Sequence, residues 1–358
     1  MTTTKFLEID GSFGEGGGAI LRIGAGFSIL FKHPIRIKNI RANRPKPGLR
    51  LQHLIGLRTL SELTNSNLSN CTVGTTEITL SPRQSIKDNI RVEIGTAGSI
   101  GLLLQPIQIA CLGFDTPEKI EITVNGGGTF GKWAPGLNYL NEVTYKIFRN
   151  HGFKIDIDIQ KHGFYPKGGA LVKCTLYPSK SKLRPICITE LGNIELIQGE
   201  IITANQLKRN EVNERIKKAA QQQLKKELKM DIEINSNYVN SLSPGVGFFL
   251  WASSDTGALI SSGTIIGERN ITSENLAKRT ANELIKYIKK KIPVDNYLSD
   301  QLIPFMGFIK ESSKIKVLEI TSHTKTNLEL IKLFLKRNYR ILQDNNNFII
   351  ELQELDKN

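Results

Sequence analysis

A repeated order of strands and helices constrains the fold of this chain more than any other feature of its sequence. Two blocks, at residues 6–80 and 91–176, each begin with a short apolar strand, a loop and an apolar helix. A second strand, loop and helix follow, and two more strands complete the block. Each block is far longer than a solenoid repeat, so the blocks are expected to pack as subdomains that share a core. The sequence therefore predicts an α+β fold built from repeated βαβαββ units.

A third, less complete block forms the C-terminal part of the sequence. It has helices at 296–309 and 327–336, and strands at 316–320, 339–343 and 348–352. The residues before it do not follow the repeated order, because they combine several strands with a strongly charged helix, which is enough for a small inserted α/β domain. The predicted division is a core of two repeats at 1–184, the insert at 185–280 and the third repeat at 281–358. The helix that starts at Ser273 could belong to either of the last two parts.

One histidine, His323, lies in the predicted turn between the strand at 316–320 and the helix at 327–336. Thr326 or Asn327 is expected to cap that helix, whose free backbone N–H groups and positive dipole end would then lie beside the imidazole and favour a phosphate. A nucleophile beside an anion site is one interpretation of this pattern. A loop histidine without a chemical task is the other, and the local pattern alone favours it.

A cluster of glycines at residues 11–18 joins the first strand to the first helix. It lets backbone N–H groups approach a phosphate at a helix start, while Glu15 offers an oxygen ligand for a hard cation. Arg22, one helical turn further on, could point back at the same anion. The cluster lacks the ending of a P-loop and the spacing of a dinucleotide fingerprint, so a tight turn without a ligand is equally compatible with it.

A stiff basic loop occupies residues 41–48 and carries Arg41, Arg44 and Lys46 between or beside two prolines. Arginine side chains held on a rigid loop suit the bidentate binding of a terminal phosphate dianion. Gln52 and His53 open the following helix on the same side. A solvated basic loop is the alternative, because charge runs are weak evidence for a binding site.

The charge and the cysteine content limit the classes of function that this chain could have. The formal net charge of +14 indicates a polyanionic partner without saying which one. The four cysteines show no C-x-x-C pairing, so they indicate neither a zinc site nor a disulfide framework. No signal sequence or membrane-spanning apolar run is evident, which leads us to expect a cytoplasmic protein without a membrane partner. The sequence is compatible with a homo-oligomer.

Six motifs in a fixed order carry a family resemblance that covers nearly the whole chain. They are residues 10–18 (DGSFGEGGG) with Leu21 and Arg22, residues 41–49 with Gln52 and His53, residues 95–99 with Gln105, residues 162–169 (HGFYPKGG), residues 297–301 (YLSDQ) and residues 322–324 (SHT). Together they resemble the RNA 3′-terminal phosphate cyclases. Ala19 and Ala170 depart from the family pattern, which usually has glutamine and glycine there. These two differences concern packing or substrate detail.

The resemblance implies a fold, a reaction and a set of roles. The fold is three repeats similar to the C-terminal domain of translation initiation factor 3, with a small inserted domain. The reaction uses ATP to convert an RNA 3′-phosphate into a 2′,3′-cyclic phosphate and releases AMP and pyrophosphate. His323 would be the nucleophile that takes AMP, and Glu15 would help to hold Mg²⁺ or Mn²⁺. The nucleotide would contact Gln105, Pro135, Tyr297, Asp300 and Gln301, with Pro135 and Tyr297 on the adenine faces, and the RNA phosphate would contact Arg22, Arg41, Arg44, Gln52 and His53.

Two other functions remain to be weighed against this reaction. The family includes non-catalytic relatives that act in ribosomal RNA processing and lack the histidine nucleophile, so the presence of His323 argues against a purely RNA-binding role. A small-molecule transferase on a similar repeat architecture would explain the glycine loops but not the positive charge.

Overall fold

The computed structural model describes residues 5–83, 85–114, 116, 118–178 and 183–355, and these form four β-sheets with helices packed beside them. Each sheet mixes parallel and antiparallel strand pairs. The α+β class predicted from the sequence is therefore confirmed. Within the described ranges, no helix combines the length and apolar character needed to cross a bilayer.

The first sheet follows the order predicted for the first block. Its elements are β1 (Leu7–Asp10), α1 (Gly18–Phe31), β2 (Ile35–Lys38), α2 (Leu51–Leu63), β3 (Asn67–Leu68) and β4 (Ile78–Ser81). β1 and β2 are parallel, β4 is antiparallel to both β2 and β3, and the order across the sheet is β1-β2-β4-β3. Because both parallel strands run into helices, their carboxyl ends direct the glycine cluster and the basic loop to the same edge of the sheet.

The second sheet has the same order and longer strands. Its elements are β5 (Asn89–Ser99), α3 (Ile100–Cys111), β6 (Ile120–Gly128), α4 (Leu137–Tyr139), a π-helical turn (Leu140–Thr144), α5 (Tyr145–Asn150), β7 (Lys154–Lys161) and β8 (Leu171–Tyr177). The order across the sheet is β5-β6-β8-β7. The motif at 95–99, which follows the predicted first strand of the second block and was expected to form its loop, is the end of β5, because Ser99 pairs with Gly128 beyond a register irregularity.

The short strand β9 (Cys187–Ile188) precedes a separate five-stranded sheet. The elements of that sheet and its helices are β10 (Ile194–Ala204), a 3₁₀ turn (Asn205–Asn210), α6 (Val212–Leu228), β11 (Ile232–Val239), β12 (Val246–Ser254), β13 (Leu259–Ser261), β14 (Ile265–Ile266) and α7 (Ser273–Lys289). The strand order is β11-β10-β12-β13, and β14 also pairs with β12. This unit has its own hydrophobic core, in which α6 and α7 pack against the sheet.

The third sheet combines β9 with the C-terminal elements. These are α8 (Asn296–Phe308), β15 (Ser313–Val317), α9 (Ser322–Leu335), β16 (Tyr339–Asp344) and β17 (Asn347–Leu352). β9 pairs in parallel with β15, and the order β16-β17-β15-β9 is that of the first two sheets. β15 lies earlier than the strand predicted at 316–320. The sheet also takes its first strand from inside the segment assigned by sequence to the insert.

Helices from all three of these sheets meet in one hydrophobic core. α1 is buried along most of its length and packs against α3, α9 and α2. Gly26 lets α1 and α3 approach closely, because a Cβ atom there would lie 2.9 Å from the carbonyl oxygen of Pro106. α1 and α3 are thereby held in close contact.

Candidate active site

A cleft of about 410 Å³ opens where the first turns of these helices meet two loops of the second and inserted units. This volume lies within the usual range for a small-molecule site. The cleft contains every residue that the family resemblance assigns to the nucleotide, together with the residues assigned to the metal and to catalysis: Gln105, Pro135, Tyr297, Asp300, Gln301, Glu15 and His323. The structure brings these side chains together across more than 300 residues of sequence, and their individual roles stay predictions.

His323 lies in the first turn of α9, not in a turn that precedes it. The helix begins at Ser322, because the Thr321 hydroxyl accepts a 2.9 Å hydrogen bond from the backbone N–H of Thr324 and caps it. The predicted cap at Thr326 or Asn327 is therefore wrong. The Thr326 hydroxyl is inside the helix and donates to the carbonyl of Ser322 at 2.9 Å. The free N–H groups of the helix start still lie beside the imidazole, as the anion-site interpretation requires.

Glu15 connects the glycine cluster to the histidine and to the basic loop. One of its carboxylate oxygens lies 3.7 Å from Nε2 of His323 and accepts a 2.8 Å bond from Nη2 of Arg44. The other accepts a 3.1 Å bond from the Ser322 hydroxyl. Arg44, predicted to receive RNA phosphate, is therefore in contact with the carboxylate predicted to hold the metal. This contact joins the predicted nucleotide and metal site to the predicted RNA phosphate site.

Asp300 ties α8 to the start of α9. Its Oδ1 accepts hydrogen bonds from the hydroxyls of Thr321 at 2.7 Å and Thr324 at 2.9 Å. Its backbone carbonyl accepts a 2.9 Å bond from Nδ2 of Asn327. Burial raises the pKa of Asp300, while the hydrogen bond from Thr321 and the charge of His323 act in the opposite direction. The aspartate thus fixes the helix turn on which the histidine is carried.

Arg22 and Gln105 form a hydrogen-bonded pair on facing helices in the same cleft. Nε of Arg22 donates to Oε1 of Gln105 at 2.9 Å, which leaves the terminal nitrogens of the guanidinium outside this contact. Burial lowers the pKa of Arg22 to about 10, so the side chain is still charged at neutral pH. A half-buried cation of this kind favours an anionic ligand beside it.

A group of cations surrounds His53 next to the cleft. Burial, followed by the charges of Arg22, Arg41 and Arg50, lowers the pKa of His53 to about 3, so its imidazole is neutral at pH 7. Arg41 also stabilises its own loop, because its Nη1 donates to the carbonyls of Lys46 at 2.7 Å and Gly48 at 3.0 Å. The sequence interpretation missed Arg50. The signal that could have found it is its position three residues before His53. At this spacing the Arg50 N–H donates a 3.2 Å hydrogen bond to Nδ1 of His53.

Gln52 faces the end of β5. Its Oε1 lies 3.4 Å from the backbone N–H of Ser99, which donates to it. Among the five residues predicted to receive RNA phosphate, Arg22 lines the cleft, Arg44 pairs with Glu15, and Gln52 reaches the second unit. The side chains of Arg22 and His53 both lie against Gly18, and that of Arg44 lies against the neighbouring Gly17.

Glu15 is the chemically suitable ligand for a hard divalent cation. Mg²⁺ is usually held by one or two carboxylates together with the phosphates of its substrate. Within the described ranges, no cluster of three or more histidine, cysteine or acidic side chains could hold a metal ion by itself. A single carboxylate such as Glu15 fits a cation whose remaining ligands come from substrate phosphates and water.

Asp295 is a buried acidic residue that sequence reasoning missed. Its Oδ1 accepts from the Leu298 N–H at 2.9 Å and caps α8, and its Oδ2 accepts from the Ser261 N–H of β13 at 2.9 Å. It therefore joins the inserted unit to the helix that carries Tyr297 and Asp300. Burial raises the pKa of Asp295 to about 7.

The raised pKa of Asp295 predicts a pH dependence of stability. The folded state binds the proton of the Asp295 carboxyl more tightly than the unfolded state does. The stability that this proton contributes is present at pH 4 and is lost as the pH rises through 7. We expect the free energy of unfolding, measured against Asp295→Asn, to fall by about 1–3 kcal/mol between pH 5 and pH 8. Urea unfolding of both proteins at several pH values measures this difference. A difference that stays constant across this range would contradict the assignment.

The fold and the cleft together define an α+β protein with a cleft of small-molecule size between its units, and comparisons with known proteins define its family. The family model for RNA 3′-terminal phosphate cyclase matches residues 13–341. The chain is 38% identical to the RNA 3′-terminal phosphate cyclase of Thermococcus gammatolerans over 339 residues, which covers 94% of both chains. It is 35% identical to that of Pyrobaculum aerophilum over 353 residues, which covers 98% of this chain and 99% of the relative. The chain belongs to the RNA 3′-terminal phosphate cyclase family.

Proposed function

We propose that this protein uses ATP to convert an RNA 3′-terminal phosphate into a 2′,3′-cyclic phosphate, through a covalent AMP adduct of His323. The observation that carries the proposal is the position of His323. It lies at the N-terminus of α9, in a cleft that also contains Glu15, Arg22 and Asp300. Family membership supports the class of reaction, and the cleft supports this histidine as the residue that performs it.

The first step is transfer of AMP to the protein. An imidazole nitrogen of His323 attacks the α-phosphorus of ATP, a P–N bond forms, and the bond to pyrophosphate breaks with its electron pair on pyrophosphate. The free N–H groups of α9 and the guanidinium of Arg22 stabilise negative charge on the phosphoryl oxygens. Asp300 holds the start of α9 in place during this step.

Two further steps act on the RNA. An oxygen of the 3′-phosphate attacks the phosphorus of the histidine adduct, and the P–N bond breaks to give an adenylated RNA end. The adjacent 2′-hydroxyl then attacks the 3′-phosphorus, loses its proton and expels AMP, which closes the ring. A 2′-hydroxyl cannot displace oxide from a phosphate monoester, so activation by AMP supplies the leaving group. The cations around His53 suit the RNA phosphate because charge-assisted bonds to a dianion are strong.

Glu15 would hold a divalent cation, Mg²⁺ or Mn²⁺, together with the ATP phosphates. When bound there, the cation would offset charge that develops on pyrophosphate. The same carboxylate pairs with Arg44 at 2.8 Å. Arg44 therefore helps to hold the carboxylate in position near His323.

The architecture behind this site is best described as three repeats with an insertion. The first, second and third sheets share one strand order, and the five-stranded unit lies between β9 and α8. This supports a core formed by 1–184 and 281–358 with an inserted domain within 185–280. The pairing of β9 with β15 favours an insert that starts after Ile188.

Incubation with ATP labelled at the α-phosphate, followed by denaturing electrophoresis, tests the proposed function. We expect the label to stay on the protein, and we expect ATP labelled at the γ-phosphate to leave the protein unlabelled, because pyrophosphate departs. Absence of label from the folded protein with either metal present would contradict the proposal.

Glu15→Gln and Arg41→Ala are expected to slow different steps of the reaction. Loss of the Glu15 charge should slow adenylation of His323 by about 10²-fold, because electrostatic groups at a phosphoryl-transfer site commonly contribute this much. Arg41 lies in the basic loop, so its loss should leave adenylation within about threefold and slow AMP transfer to RNA by about tenfold or more, the worth of a charge-assisted hydrogen bond. Single-turnover assays of each step measure both effects. If Arg41→Ala slowed both steps equally, the assignment of Arg41 to the RNA phosphate would be wrong.

A further inference from the structure

Four polar side-chain atoms of residues that line the cleft are buried without a hydrogen-bond partner among the described residues. They are Oγ1 of Thr264 in the inserted unit, Oδ1 of Asn296 at the start of α8, Oδ1 of Asn327 in α9 and the hydroxyl of Tyr139 in α4. Buried hydroxyl and amide groups in proteins are nearly always paired, so unpaired groups on residues that line a cleft point to a ligand there. Neither Thr264 nor Asn296 was singled out by the sequence.

The turn at Gly263 and Thr264 lies between Tyr297 and the chain that follows Pro135, two parts of the cleft wall. Gly263, with φ +66°, lies directly against the ring of Tyr297, and a Cβ atom there would overlap the ring. On the other side, a Cβ atom at Gly136 would lie 2.8 Å from Oγ1 of Thr264. The Thr264 hydroxyl is therefore placed beside the chain that follows Pro135, at the edge of the space between the two proposed adenine-stacking residues.

This turn is fixed in position by hydrogen bonds within the inserted unit and to α8. The Gly263 N–H donates to Oγ of Ser261 at 3.0 Å, and the Ser262 hydroxyl donates to the Gly263 carbonyl at 2.8 Å. The Ser261 N–H in turn donates to Asp295, the cap of α8. The turn and Tyr297 are therefore anchored to the same carboxylate, which fixes their relative position.

We infer that the Thr264 hydroxyl hydrogen-bonds to the polar edge of the nucleotide base, so that the inserted unit completes the nucleotide site. This inference rests on the proposed function, in which ATP occupies the cleft. A base stacked between Pro135 and Tyr297 presents its edge to the Gly263–Thr264 turn. A hydroxyl can donate to or accept from that edge. In the proposed function, the phosphates bind at the other functional groups of the cleft, Glu15 and His323, which lie 3.7 Å apart.

Binding of a non-reactive ATP analogue to Thr264→Val and Thr264→Ser tests this inference. The analogue has a methylene group between the α- and β-phosphates, so the histidine cannot displace pyrophosphate. Valine matches threonine in shape and lacks the hydroxyl, and it should weaken binding of the analogue by about fivefold to tenfold. Serine keeps the hydroxyl and should bind the analogue within about twofold of the wild-type protein, which is below the worth of one hydrogen bond.

Ribose 5-triphosphate, which has no base, serves as the matched ligand. Its binding, measured by competition, should be the same in all three proteins. Wild-type affinity of Thr264→Val for the ATP analogue would overturn the inference, and so would an equal loss for ribose 5-triphosphate. A wild-type protein that binds the analogue but never forms an AMP adduct would contradict the proposed function and leave the role of Thr264 supported by the binding data.

Discussion

His323→Ala is expected to form no AMP adduct while it keeps the fold of the wild-type protein. The adduct requires a nucleophile in the cleft, and His323 is the residue at the start of α9 that can supply one. Its side chain is 42% exposed, and the cap of α9 comes from Thr321, so removal of the imidazole neither opens a large cavity nor uncaps the helix. Labelling with α-labelled ATP and thermal unfolding measure the two parts of this expectation.

The matched control for this variant is His33→Ala. His33 is an exposed histidine outside the cleft, so its removal should leave the yield of adduct unchanged. The adduct of the wild-type protein should be labile in acid and stable in base, as a phosphoramidate is and a phosphate ester of serine is not. If a folded His323→Ala protein still takes the label, His323 is not the nucleophile.

The second large effect concerns the RNA. An oligonucleotide whose last residue carries a 3′-phosphate and no 2′-hydroxyl should accept AMP and never cyclise, because the attacking group of the last step is absent. The adenylated end should therefore accumulate, whereas with the ribose end it should be a short-lived intermediate. Gel electrophoresis of the labelled oligonucleotide separates the starting, adenylated and cyclic forms.

An unmodified ribose end of the same sequence is the control for this experiment. It should give the cyclic product under conditions in which the deoxy end gives only the adenylated form. Release of AMP from the deoxy end with return of the starting phosphate would show that water, and not the 2′-hydroxyl, resolves the intermediate. That outcome would contradict the order of steps proposed here.

Local patterns were sufficient to predict where some of the elements that line the cleft begin. The glycine cluster around Glu15 and the segment from Tyr297 to Gln301 lie where strand and helix periodicity placed them, at helix starts in a common cleft. Glycines and caps act over a few residues, so the sequence records them directly. The start of α9 was placed too late because several threonines in succession could have capped it, and only the fold shows that Thr321 does.

Contacts between distant segments were not predictable from the sequence. Arg44 lies 29 residues from Glu15 and appeared to be one of several cations in a basic loop, although it pairs with that carboxylate. Asp295 and Thr264 gain their importance from packing between the inserted unit and α8, which no periodicity records. The strand β9 is only two residues long, and its pairing with β15 follows from tertiary packing rather than from its own sequence.

The most direct test of the proposed function is the fate of an RNA 3′-phosphate in the presence of the purified protein. A short RNA labelled at its 5′ end and carrying a 3′-phosphate is incubated with the protein, with ATP and metal or with metal alone, and is then treated with a phosphomonoesterase. With ATP, we expect the 3′-phosphate to become resistant to the phosphatase and to regain sensitivity after mild acid opens the cyclic ester. Without ATP, it should stay sensitive. A 3′-phosphate that remains sensitive with ATP, in a protein preparation that is folded and binds the nucleotide, would contradict the account.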